Sequence, residues 1–276
     1  MKILITGHKG FIGKNLKNYF KNKINLEFYN WKENTFPNLH NVKAVIHMGA
    51  ISSTTEKNVK KIMKQNYDFT TKLIDLCIKK KIQLIYASSA SVYGNTKNFK
   101  ETSQLFPNSN YSWSKYLIDR YLEKKLLKKL SFKIQGLRFF NVYGNFESHK
   151  KEQKSVFHKF IFQSKKYKKI YTFKGSSKFK RDFIFVEDVC KIIEKFLSVK
   201  ESGIWNVGTG IATSFEDIAK YIGKKTQSKI VHIPMPINLK NHYQVYTKSN
   251  NKKLINSLGK IDFIKPYDWI DIKLKS

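Results

Sequence analysis

The sequence predicts an α/β fold with a doubly wound, mostly parallel sheet and a smaller C-terminal α/β lobe. Through the first two thirds of the chain, short apolar runs alternate with amphipathic stretches of helical period. After about Gly144 this alternation becomes less regular. Because parallel strands need crossover connections that are usually helical, such a βαβ rhythm is typical of a parallel sheet covered by helices on both faces.

Each element is predicted from its own periodicity. Apolar runs predict the strands of the sheet, which are Lys2–Thr6, Leu26–Asn30, Lys43–Met48, Ile82–Ser88 and Phe132–Phe139. Amphipathic stretches predict the helices, which are Phe11–Lys23, Val59–Lys80, Ser112–Lys129, Ser155–Lys166, Val186–Ser198 and Ser214–Gly223. Only about a dozen residues separate the second and third strands, which is too short for a further strand and helix. One strand–helix unit of a full doubly wound sheet is therefore expected to be missing.

The composition predicts a globular protein without a membrane span or a specific nucleic-acid partner. Hydrophobic residues make up 41% of the chain, and it contains no run of 18 uncharged apolar residues. The net charge is +33, but the basic residues are spread along the chain and are not interleaved with aromatic ones. We therefore expect this charge to attract an anionic substrate. Cys77 and Cys190 lie in apolar helical patterns, which favours a reduced, cytoplasmic protein.

A glycine-rich turn between the first strand and the first helix predicts a dinucleotide site. Gly7, Gly10 and Gly13 are spaced as GxxGxxG around Phe11 and Ile12. Glycines at this spacing let the chain turn tightly, bring backbone N–H groups to a pyrophosphate and seat the helix on the sheet. We expect residues 1–144 to form a Rossmann-type dinucleotide-binding domain, and residues 145–276 a substrate-binding lobe interleaved with it.

The end of the second strand favours NADP over NAD as the cofactor. An acidic residue at this place would hold the adenosine ribose of NAD. This chain has Asn30 there, followed by Lys32, and this pair tolerates a 2′-phosphate better than a carboxylate does. Lys32 is equally compatible with an ordinary surface lysine, so NAD stays open.

A catalytic centre is predicted from Tyr111 and Lys115, which stand four residues apart and therefore on one helix face. An ammonium next to a phenol stabilises the phenolate, so Lys115 is expected to lower the pKa of Tyr111. Tyr111 then serves as general base for a substrate alcohol that the nicotinamide oxidises. Ser89, at the end of an earlier strand, would share a hydrogen bond with the same alcohol.

Together with the segment His47–Ala50, these residues resemble the extended short-chain dehydrogenase/reductase family of nucleotide-sugar epimerases and dehydratases. The resemblance extends over nearly the whole chain. It implies a nicotinamide cofactor, a nucleotide-sugar substrate and a homo-oligomer. Besides the glycine turn with Phe11 and Ile12, the residues that it implies for the cofactor site are Gly49, Ala50, Asn66, Lys115 and Val142.

Later segments are similar to the branch of this family that inverts a carbinol centre of an ADP-linked heptose used in lipopolysaccharide, by transient oxidation with bound NAD(P). The most specific are His149–Lys150 and the stretch Gly175–Phe183. The resemblance implies that Tyr111 and Lys150 form an acid/base pair, one group for each substrate pose. Inversion makes this reasonable because protons must be handled in both poses. The residues alone leave open that Lys150 is a solvated loop lysine.

Arg181 is the best candidate for the substrate diphosphate, because its planar guanidinium matches phosphate oxygens. The alternative is an ion pair with Asp182 or another carboxylate. Other side chains and one glycine are expected at the sugar or phosphate, namely Ser89, Asn141, Phe173, Gly175, Ser176 and Tyr243. No metal site is predicted, because His149 has no partner at metal-ligand spacing. Glu152 and Lys159 depart from the branch's pattern, and both changes touch the expected sugar pocket.

The residues are also compatible with two other functions. Another UDP- or dTDP-sugar epimerase or dehydratase of the same family is the first alternative. A dehydratase would favour an acidic pair after the strand that carries Ser89, and this chain has Ser88–Ser91 there. The second is a non-catalytic dinucleotide-binding or RNA-binding protein on the same fold, whose Ser/Tyr/Lys set would be damaged. Here that set is intact.

Overall fold

The main sheet of the protein is parallel throughout, as the sequence predicts. The computed structural model describes residues 2–53, 56–128, 130, 132–147, 150, 153–237 and 243–275. Within these residues the sheet has the order β2-β1-β3-β4-β5-β9, and every pair is parallel. Its strands are β1 (Lys2–Thr6), β2 (Asn25–Tyr29), β3 (Ala44–His47), β4 (Gln83–Ser89), β5 (Ile134–Phe139) and β9 (Gly203–Val207).

Helices cover both faces of this sheet, which confirms the doubly wound arrangement. One face packs against α1 (Phe11–Phe20) and α6 (Val186–Phe196). The other packs against α3 (Phe69–Lys80) and α4 (Asn110–Leu126). Successive residues of a strand point to opposite faces, so Ile3 and Ile5 join the first core and Leu4 joins the second.

The predicted helix Val59–Lys80 forms, but it changes its hydrogen bonding on the way. It consists of α2 (Val59–Ile62), a π-helical stretch (Met63–Asp68) and α3. π-Helical turns inside α-helices are often found at functional sites. Periodicity does not distinguish such a turn from an α-helix, so the sequence gives no sign of it.

The second part of the molecule contains two small sheets. One has the order β10-β8-β6, from β6 (Asn141–Tyr143), β8 (Lys180–Phe185) and β10 (Ala212–Ser214). The other pairs β7 (Lys169–Phe173) with β11 (Lys229–Ile233). The helices of this part are α5 (Val156–Tyr167), α7 (Phe215–Thr226), α8 (Lys252–Leu258) and α9 (Pro266–Lys275). Its core is strongly aromatic, with Tyr143 packed against Phe157 and Trp269.

The segment between β2 and β3 is a loop, which leaves β2 at the edge of the sheet. Residues 30–43 contain neither helix nor strand. The loop is fixed by its own side chains: the Tyr29 hydroxyl donates to the Thr35 carbonyl at 2.8 Å. Phe36 stacks on Phe69, with 5.2 Å between the ring centroids. Among the helices that the structure describes, none is long and apolar enough to cross a membrane.

Candidate active site

The glycine turn is packed so closely that side chains at two of its positions would collide with backbone. Gly7 has φ +71°, and a Cβ on it would stand 2.5 Å from Cα of Gly49. A Cβ on Gly13 would stand 2.2 Å from the carbonyl oxygen of Gly7. This packing seats the start of α1 against the turn, and the first turn of α1 carries no acidic residue. A helix N-terminus of this kind fits the pyrophosphate of a dinucleotide.

A cleft of about 750 Å³ extends from this turn to the second part of the molecule. It brings together eleven of the residues predicted for the site, which are Gly10, Phe11, Ile12, Gly13, Ala50, Ser89, Tyr111, Lys115, Asn141, Val142 and Lys150. The other predicted residues do not line this cleft, and these are Gly7, Asn30, Gly49, Asn66, Phe173, Gly175, Ser176, Arg181 and Tyr243. The cleft thus joins the glycine turn to the predicted proton-handling groups.

Helix α4 presents Tyr111 and Lys115 to the cleft, and β4 presents Ser89. The helix begins at Asn110, two residues before the predicted start, because Ser109 forms a capping box with Ser112. Lys115 is buried, and its Nζ donates a hydrogen bond to the Ala87 carbonyl at 2.7 Å. This bond fixes the ammonium beside the end of β4.

Burial dominates the protonation of these groups. It lowers the pKa of Lys115 to about 8, against the opposing charge of Asp119. It raises the pKa of Tyr111, while the hydrogen bond with Ser89 lowers it. The sequence predicts that Lys115 lowers the pKa of Tyr111. In this structure the direction is the opposite, because the phenolate loses more by desolvation than its neighbours return.

Asp119, one helical turn after Lys115, connects the strands of the site to helix α4. The sequence did not predict this role. It is fully buried and accepts hydrogen bonds from Tyr86 at 2.9 Å, Ser88 at 2.9 Å and Arg138 Nε at 2.8 Å. These bonds tie β4 and β5 to the helix that carries Tyr111. An acid four residues after Lys115, on the buried face of α4, was the available signal.

Lys150 enters the cleft from the loop between β6 and α5. Its Nζ lies 4.6 Å from the centroid of the Phe11 ring and 3.4 Å from Oε2 of Glu147. Glu147 is fully buried and was also missed by the sequence analysis. Lys150 is therefore not a freely solvated lysine. His149 and Glu152, which the sequence places near the expected sugar pocket, lie outside the described residues.

Asn66 and His47 support the site without lining the cleft. The Asn66 amide accepts from Ile51 N at 2.8 Å and donates to Ile51 O and Ser114 Oγ, both at 3.0 Å. It thereby fixes the loop that follows β3. His47 bonds to the hydroxyls of Thr6 and Thr70. Burial lowers the pKa of His47 to about 3, so the ring is neutral.

Arg181 is buried between two aromatic rings. Its guanidinium carbon lies 5.5 Å from the Phe215 centroid and 5.2 Å from the Tyr243 centroid. Burial lowers its pKa. Among the residues described, Arg181 has no ion pair with a carboxylate, and Asp182 instead accepts hydrogen bonds from Thr209 and Ser249. The alternative of an ion pair with Asp182 is therefore wrong. Because Phe215 also lines the cleft, Arg181 stands directly behind the cleft wall.

The remaining predicted substrate residues surround Tyr243 or have other partners. The Phe173 ring lies edge-on to Tyr243, with centroids 6.2 Å apart. The Ser176 hydroxyl is buried and donates to Glu216, so it is already occupied. Gly175 has φ +82°, which a residue with a side chain rarely adopts. In the part of the chain that the structure describes, no group of three or more His, Cys, Asp or Glu side chains could hold a metal.

The chain is similar to known proteins over most of its length. The family model of the NAD dependent epimerase/dehydratase family matches residues 29–208. The ADP-L-glycero-D-manno-heptose-6-epimerase of Brachyspira hyodysenteriae is 40% identical over 91% of this chain and 90% of its own length. The crystal structure of the Helicobacter pylori enzyme of the same name superposes with a TM-score of 0.85, at 26% identity over 99% of this chain and 95% of that one.

More distant structures share the fold. The protein MoeE5, solved with UDP-glucose and NAD, superposes with a TM-score of 0.85 at 20% identity, over 100% of this chain and 98% of its own. At this identity the likeness concerns the fold alone.

Proposed function

Because the chain belongs to the NAD-dependent epimerase/dehydratase family, we propose that it inverts carbon 6 of an ADP-linked glycero-manno-heptose. The reaction is the one named in its 40% identical relative. One observation carries the proposal: Tyr111 and Lys150, from different elements, line the same cleft. Inversion of an unactivated carbinol needs a proton-handling group for each of two substrate poses, and this pair supplies them.

The residues present fit a nicotinamide dinucleotide. The closely packed glycines and the open N-terminus of α1 suit its pyrophosphate, and Val142 lines the cleft between this turn and Tyr111. When bound, the cofactor supplies the reversible oxidation of the carbinol to a ketone. In this assignment Asn66 acts indirectly, by fixing the backbone of Ile51 next to Ala50.

The protein's own groups position and move protons. Tyr111 takes the hydroxyl proton in one pose, and Ser89 orients that hydroxyl through the hydrogen bond that it shares with Tyr111. Lys115, held on the Ala87 carbonyl, lines the same cleft as Tyr111, and its positive charge favours the phenolate that Tyr111 needs as a base, against the burial that raises the pKa of Tyr111. Lys150 serves the other pose. Phe183 and Phe215 line the cleft and exclude water from the reacting centre.

We assign the ADP part of the substrate to Arg181 and the rings around it. Among the described residues the buried guanidinium of Arg181 has hydrogen bonds to the Lys180 carbonyl and to Tyr243 but no carboxylate partner, and a diphosphate would supply the missing charge. Tyr243 and Phe173 would frame the same subsite, and Asn141 would contact the sugar in the cleft. On this assignment residues 1–144 form the cofactor domain and residues 145–276 the substrate-binding lobe, interleaved so that β9 belongs to the main sheet and α6 packs on its face.

We favour NADP as the cofactor, with NAD as the alternative. Asn30 follows β2 where a carboxylate would hold the ribose of NAD, and Lys32 beyond it is exposed. The nearby Glu33 is hydrogen-bonded to Lys64. Asn30→Asp should shift the ratio of NADPH to NADH affinity toward NADH by about tenfold or more, as measured by fluorescence titration. An unchanged ratio would contradict this role of Asn30.

We also propose that the protein works in the cytoplasm and forms a homo-oligomer. Cys77 and Cys190 are buried and unpaired, which suits a reducing compartment such as the cytoplasm. The family resemblance implies a homo-oligomer, and light scattering coupled to size-exclusion chromatography measures its size.

The experiment that tests the function is incubation of the purified protein with ADP-D-glycero-D-manno-heptose, followed by NMR of carbon 6 in the recovered sugar. We expect the L-glycero epimer to appear, to be lost in Tyr111→Phe and to be reduced in Lys150→Met. Lys166→Met, an exposed lysine change on α5 outside the cleft, is the matched control. No turnover by a folded, cofactor-loaded protein would exclude the heptose and leave the family.

A further inference from the structure

The loop between β6 and α5 is organised around the buried carboxylate of Glu147. One oxygen, Oε1, accepts a hydrogen bond from Gly144 N at 3.0 Å. The other, Oε2, accepts from Ser155 N at 2.6 Å and lies 3.4 Å from Nζ of Lys150. The two backbone donors lie at opposite ends of the loop. Glu147 therefore connects the two ends of the loop through hydrogen bonds and places its negative charge next to Nζ of Lys150.

This carboxylate is buried and held by the backbone of its own loop. Its side chain is fully buried, and both of its oxygens are held by backbone N–H groups. His158 Nε2 lies 3.7 Å from Oε1, but it donates its hydrogen bond to the Gly144 carbonyl at 2.7 Å. A buried carboxylate in a fixed position favours a cation beside it. Among the described lysines and arginines, Lys150 is the one that forms an ion pair with this carboxylate.

The other surroundings of Lys150 do not replace Glu147. The Phe11 ring, from α1, is neutral and attracts the ammonium weakly. Tyr111 and Lys115 face the same cleft from α4, and Lys154 and Lys159 face it from the loop and α5. These lysines repel a charged Lys150.

We propose that Glu147 is a positioning residue that holds Lys150 as an ammonium directed into the cleft, so that Lys150 enters the reaction as the proton donor. This inference rests on the proposed function and adds the direction of proton flow. Tyr111 takes the proton of the reacting hydroxyl in the first pose. In the second pose an N–H bond of Lys150 breaks as the carbinol O–H bond forms, which leaves a neutral amine beside Glu147. Solvent then returns the proton from Tyr111 to Lys150.

The test measures the chemical reactivity of Lys150 and needs no substrate. The whole protein is treated briefly with acetic anhydride at pH 8, and site-resolved mass spectrometry gives the acylation rate of each lysine. Only the neutral amine reacts. In Glu147→Gln we expect Lys150 to be acylated measurably faster, because the anion 3.4 Å from its Nζ no longer favours the ammonium over the reactive neutral amine. Asp75→Asn removes the partner of Lys125, 2.8 Å away on the surface, and is the matched control.

An unchanged acylation rate of Lys150 in a folded Glu147→Gln protein would overturn the proposal whatever the substrate is. If the rate rises but the heptose is not turned over, the positioning role stands and the proposed function fails. Where turnover is present, the alkaline limb of the pH–rate profile should move to lower pH in Glu147→Gln and stay in place in Asp75→Asn.

A second pair of variants covers the case in which Glu147→Gln does not fold. Lys150→Arg keeps the positive charge beside Glu147 but cannot release a proton at neutral pH. It should retain the melting temperature of the parent and have turnover reduced as far as in Lys150→Met. Lys150→Met leaves Glu147 without this partner and should melt at a lower temperature than Lys150→Arg. Equal melting temperatures for the two variants would overturn the ion-pair role.

Discussion

Arg181→Met tests two effects of the buried arginine separately: its effect on the free energy of unfolding and its proposed effect on the affinity for the substrate diphosphate. The side chain is only 6% exposed and stacks between Phe215 and Tyr243. The two ring contacts stabilise the guanidinium by about 0.5–2 kcal/mol each. Removing the cation from water costs several kcal/mol, which these contacts do not exceed. Methionine fills a similar volume without that cost, so the free energy of unfolding should stay within about 1 kcal/mol of the parent or rise.

Binding should respond in the opposite direction. A guanidinium that donates two hydrogen bonds to phosphate contributes about 1.5–3 kcal/mol for each bond. Loss of about 3 kcal/mol or more raises the dissociation constant for ADP roughly a hundredfold or more. Isothermal titration calorimetry with ADP measures this change, while NADPH titration of the same sample checks that the cofactor site is intact.

The outcome is read against Lys180→Met, which removes the same charge from an exposed neighbour on β8. That control should bind ADP like the parent. If Arg181→Met also binds ADP like the parent, the diphosphate subsite lies elsewhere. If its free energy of unfolding instead falls by more than about 2 kcal/mol, the cation has a structural role, and the ring contacts outweigh the cost of burying it.

Three further variants test other parts of the structure. Gly13→Ala should weaken NADPH binding and lower the melting temperature, although alanine normally favours a helix, because its Cβ would stand 2.2 Å from a carbonyl oxygen. Equal or tighter NADPH binding would refute the role of the closely packed glycines in the dinucleotide site. Asp119→Asn should lower the free energy of unfolding in urea by about 3–5 kcal/mol by breaking the buried pair with Arg138, whereas the exposed Asp75→Asn should cost less than about 1 kcal/mol. Burial lowers the pKa of Lys115 to about 8 from 10.5, so the unfolded chain binds more protons between these values. The contribution of Lys115 to stability should therefore rise from pH 8 to pH 10.5. The free energy of unfolding in urea should rise more steeply over this pH range in the parent than in Lys115→Met.

Local patterns were enough to predict the first five strands of the main sheet and to propose the catalytic trio, but they did not predict β9, the sixth strand. Each predicted strand and helix shows its own period, and the missing unit after β2 follows from the length of the chain between Tyr29 and Ala44. Tyr111 and Lys115 need only a helix to meet. Ser89 joins them because the carboxyl ends of parallel strands share one edge of the sheet.

The supporting residues could not be predicted because their partners are distant in the sequence. Asn66 acts on Ile51 and Ser114, and a polar residue on a helix does not show which loop it will hold. The rings that enclose Arg181 come from α7 and from beyond residue 242, in elements whose packing the period does not specify. The raised pKa of Tyr111 likewise depends on burial, which the four-residue spacing does not report.

In a chain with a net charge of +33, the acids are more informative than the lysines. Lysines are distributed over the surface, and most of them reveal nothing about position. Several of the 20 acidic residues are fully or nearly fully buried, among them Asp119, Glu147, Asp182, Asp188 and Glu216. A buried carboxylate survives only where donors satisfy it, so each marks a point at which separate segments are tied together. Asp119 ties β4 and β5 to the helix of Tyr111, and Glu147 ties the two ends of the loop of Lys150. Acids that interrupt an otherwise basic or apolar stretch are therefore the positions from which to search such a sequence for the frame of its active site.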